Sequence, residues 1–131
     1  MANANLEQEQ ENQIKFYDKK LWGEKEVLNI NDTSQLDFLI INKGGYCSKH
    51  KHFHKYNLFY VVTGVLKITL YLKDGGVRDY IIGDECPKRK FIVRPGTFHK
   101  FKALEDTECI EFSYVKYSSE DIVREDTGGI A

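Results

Sequence analysis

From Glu26 onward, short apolar runs alternate with turn signals, and none runs on with the periodicity of a long amphipathic helix. That punctuation leaves little room for anything but strands. The pattern predicts strands at Glu26–Ile30, Leu36–Asn42, Tyr46–His52, Leu58–Thr63, Val65–Leu72, Val77–Ile82, Phe91–Val93, His99–Ala103 and Thr107–Tyr117. Lys73-Asp74-Gly75-Gly76, between two β-rich runs, is a strong hairpin signal because glycine reaches positive φ without a Cβ clash. Gly44-Gly45, Gly64 and Pro95-Gly96 punctuate the remainder. Only Ser119–Arg124 reads as a helical turn, with Ser119 as its cap and Glu120 and Asp121 in its first turn. An aromatic content of 13% with only two prolines suits strands. The fold class is all-β, a sandwich or barrel, which limits exposed edges.

A chain of 131 residues holds one core, not two. Residues 1–13 (MANANLEQEQENQ) are almost wholly polar and read as a flexible tail, so a single domain spans 14–131, with Leu21-Trp22-Gly23 as its first apolar anchor. Nineteen basic against twenty acidic side chains give a formal charge of −1, without the basic surplus a nucleic-acid binder needs. No apolar stretch approaches the ~18–20 residues of a membrane span. Cys47, Cys86 and Cys109 show no CxxC spacing and cannot all pair within one chain; with no signal-peptide pattern at the start, a reducing cytoplasmic setting is expected.

All four histidines lie in two places. His50, His52 and His54 alternate in KHKHFH, and His99 follows Arg94-Pro95-Gly96-Thr97-Phe98. Residues two apart on an extended chain point to one face, so His50 and His52 can converge, and a third imidazole from a distant strand completes a half-open site for Zn²⁺, Fe²⁺, Ni²⁺ or Mn²⁺. The bland alternative is a basic exposed strand, with Lys49, Lys51 and Lys55 around the histidines.

The wider spacing points further. Gly44 is followed by five residues, His50-x-His52, four residues, Asn57, six residues and Gly64. This resembles the first motif of the cupin superfamily, G-x5-H-x-H-x3–4-E-x6-G, with asparagine in place of glutamate. RPGTFH resembles the core of the second cupin motif, P-x-G-x2-H: Gly96 and His99 match, the proline is shifted to Pro95, and Ala103 stands where the family has a later asparagine. The resemblance implies a jelly-roll barrel of two antiparallel sheets, with His50, His52 and His99 as ligands of a divalent metal and Asn57 in the fourth position. An asparagine offers a neutral carbonyl oxygen and cannot act as a base. His54 shares the parity of His52 and is a further candidate ligand, although cupins turn between the H-x-H strand and the next.

Two more segments narrow the resemblance. Lys20-Leu21-Trp22-Gly23 looks like the K-x-W-G opening of sugar-phosphate cupins. The ending Ser119-Glu120-Asp121-Ile122-Val123-Arg124-Glu125-Asp126-Thr127-Gly128-Gly129 is similar to the tail of the cupin domain of type II mannose-6-phosphate isomerases, with one residue missing after Arg124 and the final tyrosine and arginine replaced. What this implies is a metal-dependent isomerase acting on, or a domain binding, a carbohydrate derivative such as a sugar phosphate. Aldose–ketose isomerisation moves a proton between adjacent carbons, so it needs a base within hydrogen-bond reach of a carbon-bound proton.

Glu111 is the candidate base. If it faces the barrel, burial raises its pKa toward neutrality. The opposite parity sends Glu111 outward with Cys109 and Ser113 while Ile110, Phe112 and Tyr114 face in, and the apolar pattern favours that arrangement. Arg94, beside the Pro95-Gly96 turn, is a candidate phosphate ligand. Two other functions compete: a three-histidine iron dioxygenase, and a non-catalytic cupin that holds a small molecule. Cupins pair through sheet edges, so a homodimer is expected, with Ile14–Trp22 as a candidate exchanged arm.

Overall fold

The computed structural model describes residues 16–116, 120–125 and 127–131. Nine strands, and no helix, occur among them: β1 (Tyr17–Lys20), β2 (Gly23–Ile30), β3 (Ser34–Ile41), β4 (Tyr56–Thr63), β5 (Val65–Tyr71), β6 (Val77–Gly83), β7 (Lys90–Val93), β8 (Phe98–Ala103) and β9 (Thr107–Tyr114). They form two antiparallel sheets. One has six strands in the order β1-β2-β3-β9-β4-β7, and the other has three in the order β6-β5-β8.

The core fills the space between the sheets with Leu39, Ile41, Phe59, Val61, Leu66, Ile68, Ile82, Val93, Phe101, Ala103 and Cys109. Burial alternates along β4 and β8, as expected when one face of each strand meets the core. The hairpin at Lys73–Gly76 forms as predicted: Tyr71 pairs with Val77, and Gly75 adopts φ 87°. Gly64 also needs its missing side chain. It has φ 94°, and a Cβ there would run into the Asp106 carbonyl oxygen on the neighbouring loop.

Three elements depart from the sequence expectation. Glu120–Glu125 forms no helix; its apolar residues Ile122 and Val123 stay exposed, so packing does not offset the cost of nucleation. Ser119, its proposed cap, lies outside the described residues, as does the tail at 1–13. Tyr17–Lys20, not among the strands expected from the sequence, is a strand paired antiparallel with β2. Leu21, expected to anchor, is wholly exposed at the tip of the resulting hairpin, while Trp22 folds inward and meets Phe101 edge-on at 5.3 Å.

The third departure positions the site. Tyr46–His52 is not a regular strand. It runs antiparallel beside β8 and touches it at intervals, through Gly44 N–H to the Ala103 carbonyl (2.8 Å), Cys47 N–H to Phe101 (3.2 Å) and a reciprocal His50–His99 pair (3.0 and 2.8 Å). Ladder bonds are thus spaced too widely for a continuous strand. At the reciprocal pair, the two residues sit directly opposite one another with side chains on one face.

Candidate metal centre and its cavity

That backbone pair brings the two histidine segments together. The rings of His50 and His99 lie 4.5 Å apart between centroids, His50 and His52 5.0 Å, and His52 and His99 5.6 Å. One ring nitrogen from each of the three lies within 4.8 Å of the others. Alternation works as the sequence implies: Lys49 stacks over the Tyr71 ring at 3.9 Å and Lys51 over Phe98 at 4.7 Å, leaving the intervening imidazoles to converge.

The tautomers follow from the hydrogen bonds. His50 Nδ1 lies 2.7 Å from the Ser48 carbonyl oxygen and His99 Nδ1 lies 2.9 Å from that of Thr97. A carbonyl only accepts, so each Nδ1 carries a proton, and in the neutral ring the lone pair is left to Nε2. His99 Nε2 is buried without a partner among the described residues. A buried acceptor left unsatisfied costs about 1–3 kcal/mol, so this atom awaits a donor or a cation. Burial, then repulsion from Lys55, His50 and His99, lowers the His52 pKa to about 4. His99 is lowered too, chiefly by burial. All of this keeps those imidazoles neutral near pH 7, the form that binds metal, so the donor set fits a divalent ion.

A cavity of about 310 Å³ extends from the histidines into the barrel. Its walls include His50, His52, Asn57, Glu111 and Ser113, with Lys25, Asp37 and Gln35 from β2 and β3, and Lys20 and Lys55. Glu111 therefore faces inward. The parity that the apolar pattern favours is reversed: Thr107 (2% exposed), Cys109 (0%) and Ser113 (7%) are the buried residues of β9, whereas Ile110, Phe112 and Tyr114 are half-buried on the outer face. There Phe112 pairs in register with Leu36 and Leu58, and Leu58 with Ile92, an apolar row across four strands. At the cavity end of these strands the inward side chains are polar and an apolar row looks out, while further along the same inward face Leu39, Ile41, Phe59 and Cys109 belong to the core.

Inside, Asn57 Nδ2 donates to Glu111 Oε2 and to Ser113 Oγ, both at 3.0 Å. Asn57 is buried, and its Oδ1 has no partner among the described residues. Asp37 faces Glu111 across the β3–β9 register, takes two hydrogen bonds from Gln35 Nε2 (2.9 and 3.1 Å), and lies 3.8 Å from the Lys25 ammonium. Burial, then repulsion from Asp37, raises the Glu111 pKa to about 7, against the pull of Lys25, the Asn57 hydrogen bond and Lys55. Cys47 also borders the cavity, but burial pushes its thiol up to about 11, so it remains protonated.

His54 and Arg94 are both exposed, and neither lines the cavity. His54 sits in the bend that precedes β4, where the chain turns and the parity it shares with His52 is lost. Asp37, Gln35, Lys25 and Lys55 were not foreseen. The polar positions Gln35 and Asp37, alternating within an otherwise apolar β3, were the available signal.

No protein-family model and no curated protein sequence matches this chain. Solved structures do resemble it. KdgF from Halomonas sp. is 19% identical over 81% of this chain and 92% of its own, with a TM-score of 0.60. The capsular polysaccharide assembling protein CapF from Staphylococcus aureus is 19% identical over 80% of this chain and 29% of its own, with a TM-score of 0.63. Oxalate decarboxylase from Bacillus subtilis, which has Mn(II) centres, is 17% identical over 81% of this chain and 29% of its own, with a TM-score of 0.62. The chain thus spans most of KdgF and under a third of the other two. No helix among the described residues is long and apolar enough to cross a membrane. Two antiparallel sheets, in the arrangement these proteins share, give this chain the cupin jelly-roll fold.

Proposed function

We propose that this protein is a metal-binding cupin of the sugar-phosphate isomerase-like group, which binds or isomerises a carbohydrate derivative. The observation that carries the metal reading is the convergence of His50, His52 and His99 with His99 Nε2 buried and unpartnered. The Mn(II) centres of the similarly folded oxalate decarboxylase support it. His50, His52 and His99 would hold the ion, with Zn²⁺, Mn²⁺, Fe²⁺ and Ni²⁺ as candidates. A divalent ion there supplies stabilisation of negative charge developing on substrate oxygen.

The isomerase reading rests on Glu111. A carboxyl group with a pKa of about 7 inside a cavity can take a proton from carbon and return it to the neighbouring carbon at physiological pH. Asn57 fixes its orientation through the Nδ2–H···Oε2 bond. Capsular polysaccharide assembly, the role named for CapF, supports a carbohydrate ligand. The narrower likeness to type II mannose-6-phosphate isomerases comes from the sequence segments alone.

The experiment is solvent isotope exchange. Metal-loaded protein, purified without a nickel column, is incubated with mannose 6-phosphate or fructose 6-phosphate in D₂O. Deuterium at C1 or C2 of the sugar is the expected result. Absence of exchange with every candidate ion overturns the isomerase reading, and oxygen uptake by the iron-loaded protein would favour dioxygenase chemistry instead.

We also propose a homodimer, supported by the outward apolar row Leu36–Phe112–Leu58–Ile92, which a second copy can cover by sheet-on-sheet packing.

A further inference from the structure

Three ammonium groups line the cavity against two carboxylates, and they are not equivalent. Lys20 is bound to Asp18 at 2.9 Å, and Lys25 faces Asp37 at 3.8 Å. Lys55 has no carboxylate within ion-pair distance among the described residues. It stands in the short link between the His52 segment and β4, and its charge is felt by His52 on one side and by Glu111 on the other. An exposed lysine usually spends its charge on water, but one bordering a concave, partly desolvated site is a ready partner for an anion. A divalent ion on the three imidazoles would leave the cavity still more positive.

A second observation describes the rest of the ligand. Asn57 is 2% exposed, lines the cavity, and leaves Oδ1 without a donor. Ser113 Oγ accepts from Asn57 Nδ2, so its own O–H remains free to donate. An acceptor and a hydroxyl side by side suit a hydroxylated molecule, which both donates and accepts. Trp22, Phe59 and Phe101 also border the cavity and offer apolar surface to ring C–H groups. A volume of about 310 Å³ is at the lower end of small-molecule sites, which run from about 300 to 1,000 Å³. It accommodates one sugar unit, not a chain of them.

We propose that Lys55 is the anion anchor of this cavity, and that its ligand is a single hydroxylated unit bearing a carboxylate or phosphate, whose hydroxyl donates to Asn57 Oδ1. This deepens the carbohydrate reading above and rests on it. Recognition of the anion itself requires only Lys55, with or without a metal.

The test is calorimetric titration of the full chain with three probes sharing one ring: glucose 6-phosphate, glucuronate and neutral glucose. Each is run on chelator-treated and on metal-loaded protein, with metal content measured independently. At least one anionic probe should bind at least tenfold more tightly than glucose, and the better of the two identifies phosphate or carboxylate as the natural group. Its affinity should fall as salt is raised. Lys55→Gln should lose about tenfold or more in affinity for the anion with metal content and thermal midpoint unchanged, and Lys55→Arg should recover most of it. Equal binding of glucose and the anions, an unaffected Lys55→Gln variant, or no binding of either anion by either form overturns the proposal. Anion binding that survives in a protein unable to take up metal would overturn the metal reading and leave the Lys55 anchor standing.

Discussion

Replacing Glu111 with glutamine should make the metal-free protein more stable at alkaline pH. Burial and the Asp37 carboxylate raise the Glu111 pKa from an ordinary value of 4.5 to about 7. The folded state then holds a proton that the unfolded chain releases between those two values. Stability falls as pH rises through that window, because the folded state binds more protons than the unfolded one. At about 1.4 kcal/mol per pH unit, the loss is about 3 kcal/mol and is complete above pH 8. Glutamine keeps an acceptor for Asn57 Nδ2 and has no charge to desolvate, so Glu111→Gln should remove the loss.

His52 works in the opposite sense. With its pKa lowered to about 4, it contributes stability above the ordinary imidazole range that is lost as pH falls from about 6.5 toward 4. The wild-type curve alone therefore mixes two slopes. The informative quantity is the difference between Glu111→Gln and wild type, measured by urea denaturation with chelator present from pH 4 to 8.5. It should be small at pH 4 and grow to about 3 kcal/mol by pH 8. A difference that is flat across the range, or a variant that is less stable at pH 8, would refute the inward, proton-holding Glu111.

Other expectations follow from the same geometry. His99→Ala should weaken metal binding by a factor of about 100 or more while leaving the protein folded, because it removes one of three ligands, read by competition with a chromogenic chelator. Asn57→Leu should destabilise the protein by about 2 kcal/mol in thermal or urea unfolding, since it strips Glu111 and Ser113 of their common donor. Gly64→Ala should cost roughly 2 kcal/mol or more, because its left-handed backbone and the Asp106 carbonyl leave no place for a Cβ. Sedimentation at micromolar concentration should give twice the 15.3 kDa chain mass, and Phe112→Lys on the outer row should give the mass of one chain.

Strand positions were legible because turn chemistry is local. Glycine at position 75, flanked by Asp74 and Gly76, specifies a hairpin wherever it occurs. The histidine site was legible because two short spacings, at His50-x-His52 and at Pro95-Gly96-x2-His99, each fix a local geometry. Their meeting depends on a backbone pair between residues far apart in sequence, which only the resemblance to cupins supplied. The facing of Glu111 was misjudged for a physical reason. Apolar alternation normally marks the buried face of a strand, but this barrel holds a polar cavity, so its central strands turn Asp37, Asn57, Glu111 and Ser113 inward and set Phe112 and Tyr114 outside. Lys55 escaped notice for a different reason: in KHKHFHK one lysine looks like another, and only the fold separates Lys49 and Lys51, stacked on aromatic rings, from the one beside the cavity.

The central claim is that three imidazoles hold a divalent ion. Anomalous diffraction from crystals of protein purified without a metal column, and soaked in Zn²⁺ or Mn²⁺, tests it directly. A single peak about 2.0–2.3 Å from the Nε2 atoms of His50 and His99 and from one ring nitrogen of His52 is the predicted result. Density that is flat at the cluster after soaking with each candidate ion, with His99 Nε2 instead hydrogen-bonded to water, would contradict it.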